Sequence, residues 1–174
     1  MKICFLLSFT PNPRMKKRIE VLSEYYTISL IYWKRSVINI TGKFNMNIES
    51  FEIKIMSNYG NPLARIIPTI KFTFRALHIL EMIQPDCIYV QNLDMLLIAR
   101  LYCLRKKHKV KIIYEIADIH SLLIDPQKCI ARRFIQNILT NIDANLCKHI
   151  DLLVITSEKF YEVYYSNFIS EDKV

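Results

Sequence analysis

The stretch KICFLLSFTPNPRMKKRIEVLSEYYTISLIYW, residues 2–33, reads as one strand–helix–strand unit. Residues 2–9 are a continuous apolar run of strand length. Asn12-Pro13 then supplies a helix cap and a first-turn proline, whose fixed φ and missing N–H suit that position. Met15, Ile19 and Leu22 recur at spacings of four and three, which places them on one face of a helix reaching Glu24. Residues 26–33 are rich in β-branched and aromatic side chains and predict a second strand.

The same alternation continues along the chain. FEIKIM (51–56) predicts a third strand, after a polar stretch at 34–50 that contains Gly42 and shows no period. Asn61-Pro62 opens a segment of helical apolar spacing in which Pro68 kinks or restarts the helix and which Pro85 stops. DCIYV (86–90) is a fourth strand, Asn92 can cap a helix to about Lys107, and VKIIYEI (110–116) is a fifth strand. Ala131, Phe134, Ile135, Ile138, Ile142 and Leu146 form one stripe of a helix over 128–148. DLLVIT (151–156) follows as a sixth strand, and Ser157 caps a last helix, EKFYEVYYSNF. Strands that are apolar on both faces and alternate with helices predict a doubly wound α/β domain with a parallel sheet and right-handed crossovers.

Length and composition set the limits. At 174 residues and 52% hydrophobic content the chain suits one domain with a sizeable core. Cys4, Cys87, Cys103, Cys129 and Cys147 lie far apart with no C-x-x-C, which reads as reduced core thiols in a cytoplasmic protein. The start lacks the small-residue cleavage site of a signal peptide, and no uncharged apolar run reaches ~18 residues. The net charge of +8 points to an anionic partner: phosphorylated metabolites, nucleic acid or an acidic membrane face.

With only Gly42 and Gly60, neither a dinucleotide fingerprint nor a P-loop can be written. The four histidines have no ligand spacing, so no metal site is expected. In doubly wound sheets ligands bind beyond the carboxyl ends of the strands. That rule selects 10–14, 91–94, 115–120, and Ser157 with Glu158 as site segments. YEIADIH (114–120) presents Glu115, Asp118 and His120 there, although Asp118 also suits a helix cap. Arg14 lies in the first turn of its helix, where a cation opposes the helix dipole, and this favours a role in holding an anion. Arg65, Lys71 and Arg75 interrupt the apolar segment 63–84, which reads either as a core helix with outward basic stems or as a helix lying on an anionic bilayer.

Four segments in order carry a resemblance to the N-terminal domain of glycosyltransferase family 4, the retaining GT-B enzymes. Residues 2–33 look like that family's first strand–helix–strand with its "pR" turn. PDCIYVQNLDMLLIARLYCLRKK is similar to its "pDvvhv" strand and following helix, KIIYEIADIHSLL to its "vyeiHDl" segment, and HIDLLVITSEKFYEVY to its "aD.vi.vSe" strand and helix. The resemblance implies a Rossmann-like acceptor-binding half spanning 1–174, with the nucleotide-sugar half still to follow. It implies transfer of a sugar from a nucleotide-sugar to a lipid-linked or polysaccharide acceptor, as in capsule or lipopolysaccharide synthesis. No cofactor is implied, and the 174 residues alone are expected to be inactive. Glu115 and Asp118 are the catalytic candidates, and Arg14, Asn92, Asp94 and His120 the acceptor-binding ones. The histidine of "vyeiHDl" is Ala117 here, so its sugar contact does not carry over, and His120 is the one substitute nearby. The rival reading is a non-enzymatic basic α/β module for nucleic acid, for which the sequence offers no recognition motif.

Overall fold

The computed structural model describes residues 1–35, 48–56, 64, 66–106, 108–117 and 130–174. Six strands form one parallel sheet in the order β3-β2-β1-β4-β5-β6. They are β1 (Lys2–Leu7), β2 (Thr27–Lys34), β3 (Glu49–Lys54), β4 (Cys87–Gln91), β5 (Lys111–Ile116) and β6 (Leu152–Ile155). The helices are α1 (Pro13–Ser23), α2 (Ile66–Ile83), α3 (Leu93–Cys103), α4 (Ile130–Cys147) and α5 (Glu158–Val163). The doubly wound parallel architecture read from the sequence is the one observed.

Alternation along β1 shows how the two layers are filled. Ile3, Phe5 and Leu7 pack with Met15 and Ile19 of α1 on one face. Cys4 and Leu6 point to the other face, where Phe72, Ala76 and Leu80 of α2 and Met95, Ala99 and Tyr102 of α3 cover the sheet. Trp33 stacks on Phe72 with ring centroids 4.9 Å apart, and its indole N–H donates to the Ile55 carbonyl at 2.8 Å. Cys4, Cys87 and Cys147 are buried, and burial raises their thiol pKa values, that of Cys87 to about 11. They are packing groups, as expected, while Cys129 lies outside the described residues.

Several boundaries differ from the sequence reading. Pro68 sits in the first turn of α2, where a missing N–H breaks no bond, so of the two alternatives read from the sequence it marks a helix start and not a kink. The last helix stops at Val163 and continues as a 3-10 turn at Tyr165–Asn167, and a further 3-10 turn follows at Glu171–Lys173. Of the described residues in the apolar stripe of α4, only Leu146 enters the core. Phe134, Ile135, Ile138 and Ile142 are exposed, and the helix docks through its last turn, where Asp143 and Cys147 are buried beside Leu146.

That docking buries a carboxyl. Asp143 is 1% exposed and accepts from the Cys147 thiol at 3.5 Å. Burial raises its pKa above the ordinary value near 3.8, and the Tyr164 hydroxyl and Cys147 only partly oppose this. A raised carboxyl pKa favours folding below the unfolded-state value and opposes it as pH rises through the folded-state value. Asp143→Asn is therefore expected to be more stable than the parent at pH 7, with the gain absent at pH 3, as urea unfolding at the two values would show.

Candidate functional site

The direction of winding reverses between β1 and β4. The connection through α1 leads from β1 toward β2 and β3, whereas β4 and the later strands lie on the opposite side of β1. Such a reversal opens a crevice at the carboxyl ends of the two strands. Ser8 follows β1 there and Asn92 follows β4, and the Asn92 amide Nδ2 donates to Ser8 Oγ at 2.7 Å across the gap.

Asn92 adopts φ 76° and ψ 152°, a region that side chains with a Cβ rarely occupy. Its side chain makes no capping bond to α3, contrary to the sequence reading, although its carbonyl accepts the Leu96 N–H at 3.1 Å. Such strain costs on the order of 1–3 kcal/mol, and glycine relieves it. Asn92→Ala keeps the strain and loses the Ser8 bond, whereas Asn92→Gly loses the bond alone. The glycine variant should be the more stable of the two by about 1 kcal/mol or more in chemical denaturation, the reverse of the usual Ala over Gly order.

Beside this crevice α1 lays two arginines, one turn apart, over the end of β5. Asn12 starts the helix as the sequence predicts, its Oδ1 accepting the Met15 N–H at 2.8 Å, with Pro13 in the first turn. Arg14 Nη2 donates to Glu115 Oε1 at 2.9 Å. Arg18 Nη1 lies 2.5 Å from Glu115 Oε2 and 2.5 Å from the Tyr89 hydroxyl oxygen, and that hydroxyl donates to Glu115 Oε2 at 2.8 Å. The carboxylate is 1% exposed and is matched by two cations and a phenol, the pairing a buried charge requires. Burial, followed by the Glu115 charge, raises the Tyr89 pKa and keeps the phenol protonated. Partial burial opposes the charge of Arg18, but Tyr89 and Glu115 outweigh it and raise its pKa.

Exposure separates the two arginines. The Arg14 side chain is 50% exposed and that of Arg18 29%, so Arg14 can offer donors to the crevice while Glu115 holds it. Gln91, next to Glu115 across the β4–β5 ladder, is buried, and its Oε1 has no hydrogen-bond partner among the described residues. Asp94 lies in the first turn of α3, where an acidic residue suits the dipole, and Arg35 Nη2 is 3.6 Å from its Oδ2. The structure thus brings Arg14 to Glu115 and places Asn92 and Asp94 at the neighbouring strand end. Asp118 and His120 lie outside the described residues. Arg18 and Tyr89 were missed, although the Arg14–Arg18 spacing of four, on a helix following the first strand, was a signal that could have found the arginine.

Comparison with protein-family models gives no match, and no curated protein matches the sequence. Solved structures do match in shape. The UDP-GlcNAc 2-epimerase of Neisseria meningitidis bound to UDP-GlcNAc aligns with a TM-score of 0.63 at 19% identity, over 100% of this chain and 45% of that one. Sucrose-phosphate synthase of Thermosynechococcus elongatus gives 0.65 at 10% identity over 98% and 45%, and the lipopolysaccharide outer core galactosyltransferase WaaB gives 0.63 at 13% over 99% and 44%. The chain spans less than half the length of these proteins. An epimerase stands beside transferases among them, so family 4 is not singled out. What the chain shares with them is the fold: a Rossmann-like half-domain of the GT-B type.

Proposed function

We propose that the chain is the acceptor-side half of a glycosyltransferase of the family 4 kind, which moves a sugar from a nucleotide-sugar to a lipid-linked or polysaccharide acceptor on the cytoplasmic side of a bacterial membrane. The observation that carries this reading is the half-exposed Arg14, fixed at the switch-point crevice by the buried Glu115. A guanidinium held in place can meet a diphosphate as charge develops on it, with no reorganisation at the moment of transfer. In this reading Glu115 is a positioning residue and not a group that touches substrate. Asp118 stays the candidate acid or base, Asn92 and Asp94 orient acceptor hydroxyls, and His120 stays a candidate sugar contact.

The test is release of nucleoside diphosphate from a panel of UDP-, GDP- and ADP-sugars by the protein carrying both half-domains, with membrane-extracted acceptor present. Acceptor-dependent release supports the reading, and a folded protein that turns over none of them sinks it. The 174 residues alone are expected to turn over no donor.

Contact with anionic membrane belongs to the same proposal. Among the described residues no helix is long and apolar enough to cross a membrane. Helix α2 buries Phe72, Ala76, Leu77 and Leu80 and exposes Ile66, Ile67, Ile70 and Phe74 beside Lys71 and Arg75, a mixed apolar and basic outer face. Arg65 lies outside the described residues. Each basic residue near such a surface is worth ~1 kcal/mol, so changing Lys71 and Arg75 together to Gln should weaken binding to anionic vesicles by about tenfold or more. Unchanged sedimentation with vesicles would remove α2 from the docking face.

A further inference from the structure

A second concavity lies at the opposite end of the strands, where β5 and β6 begin. Its volume is about 520 Å³, within the range of small-molecule sites. Arg100, Lys106, Lys109, Lys148 and Lys173 line it, together with His108 and His149, over a floor that includes the buried Val110, Ile112 and Ile150.

Basic residues near helix carboxyl ends are ordinary, because they complement the dipole, and α3 and α4 both end here. The magnitudes decide whether that accounts for this cluster. Two helix ends contribute roughly half a negative charge each. Asp151 adds one carboxylate, already taken up by the Ile112 N–H and the Lys109 ammonium, each at 2.9 Å. Glu81 adds another, paired to Lys106. Five cations therefore exceed the negative charge around them. Lys173 Nζ donates to the Ile150 carbonyl at 3.0 Å and Lys148 Nζ to Asn145 Oδ1 at 3.3 Å, so both are directed by neutral acceptors. The His149 ring reports the resulting field: partial burial first, and then Arg100, Lys148 and Lys173, hold its pKa below the ordinary value.

We propose that this concavity is a binding site for a compact oligophosphate anion, separate from the strand-end crevice. A hollow lined by cations on several sides can surround a small anion of two or more charges, whereas a bilayer would meet only its rim. The site does not depend on the glycosyltransferase reading, since it lies at the other end of the strands.

NMR titration of the histidine rings at fixed ionic strength tests it, with inorganic pyrophosphate, ADP, sodium sulfate and anionic vesicles as separate probes. Pyrophosphate should bind saturably with a Kd below about 1 mM and raise the His149 pKa. ADP should act alike if the anion is carried on a nucleotide, and pyrophosphate alone if it is free. Arg100→Gln with Lys148→Gln, at two positions outside the core, should weaken binding by tenfold or more while the remaining spectrum stays folded. An equal response to sulfate, a response to vesicles without one to pyrophosphate, or full binding by the double variant would overturn the proposal.

Discussion

Glu115→Ala is expected to cost the fold about 3 kcal/mol and to lower the melting temperature by about 9 °C, at roughly 2–4 °C per kcal/mol for a chain of this size. The substitution leaves the Arg18 guanidinium and the Tyr89 hydroxyl without the carboxylate, at 1% exposure, that had matched both. Removing one partner of a buried pair costs about 3–5 kcal/mol, because the other charge stays behind without compensation. The lower end applies here, since Arg14 and Arg18 reach water and can be partly rehydrated. Glu52 on β3 provides the contrast. Its side chain is 23% exposed, Lys34 and Lys54 stand at 3.5 and 3.1 Å, and the Tyr32 hydroxyl donates to its carboxylate at 2.8 Å. The ion pairs contribute less than about 1 kcal/mol and the hydrogen bond about 1 kcal/mol, so Glu52→Ala should cost about 1–2 kcal/mol. Urea unfolding of both alanine variants checks the difference. A cost below 1 kcal/mol at Glu115 would mean that its carboxylate is not structurally committed and would return it to the list of groups free for chemistry.

Arg14→Gln should do the opposite, lowering kcat/KM by about 100-fold in the protein with both half-domains while costing less than about 1 kcal/mol in stability. Half of the Arg14 side chain is already in water, so the folded state loses little. Loss of one fixed donor to developing charge typically costs 10²–10³ in kcat. Arg18→Gln discriminates between the two arginines: it is the more buried, and it bonds both Glu115 and Tyr89, so its loss should appear mainly in stability. If both variants lose activity in proportion to their loss of stability, Arg14 has no special part in the reaction.

The fold was legible because its signals are local. The apolar runs at β1, β2, β4 and β5, the Asn12-Pro13 start of α1 and the stop at Pro85 each depend on neighbours a few residues away. The strand-end rule then placed Arg14, Asn92, Asp94 and Glu115 in one region without any knowledge of contacts. The partnership of Glu115 was not legible. Its partners lie 101 and 26 residues away in sequence for Arg14 and Tyr89, and only the strand order brings them together. Helical period has a similar limit at α4. It shows which residues share a face, Phe134 with Ile138 and Ile142, but not which face the sheet will receive, and the face received carries Asp143. Nor does the asparagine code at 92 reveal a positive φ, since the same residue caps helices with negative φ, as Asn12 does at −73°.

The first strand of the chain is the third of the sheet, paired on one side with β2 and on the other with β4, so that Ile3 lies opposite both Ile28 and Cys87. During synthesis β1 must therefore wait with one edge bare until Gln91, 84 residues after Leu7, has left the ribosome, a delay of about 4–17 seconds at ordinary elongation rates. Removal of β1 would delete the middle of the sheet and leave β3-β2 and β4-β5-β6 with no strand to join them. Six residues thus hold together a sheet whose other strands are made later, and a fault in them is felt by both of its halves.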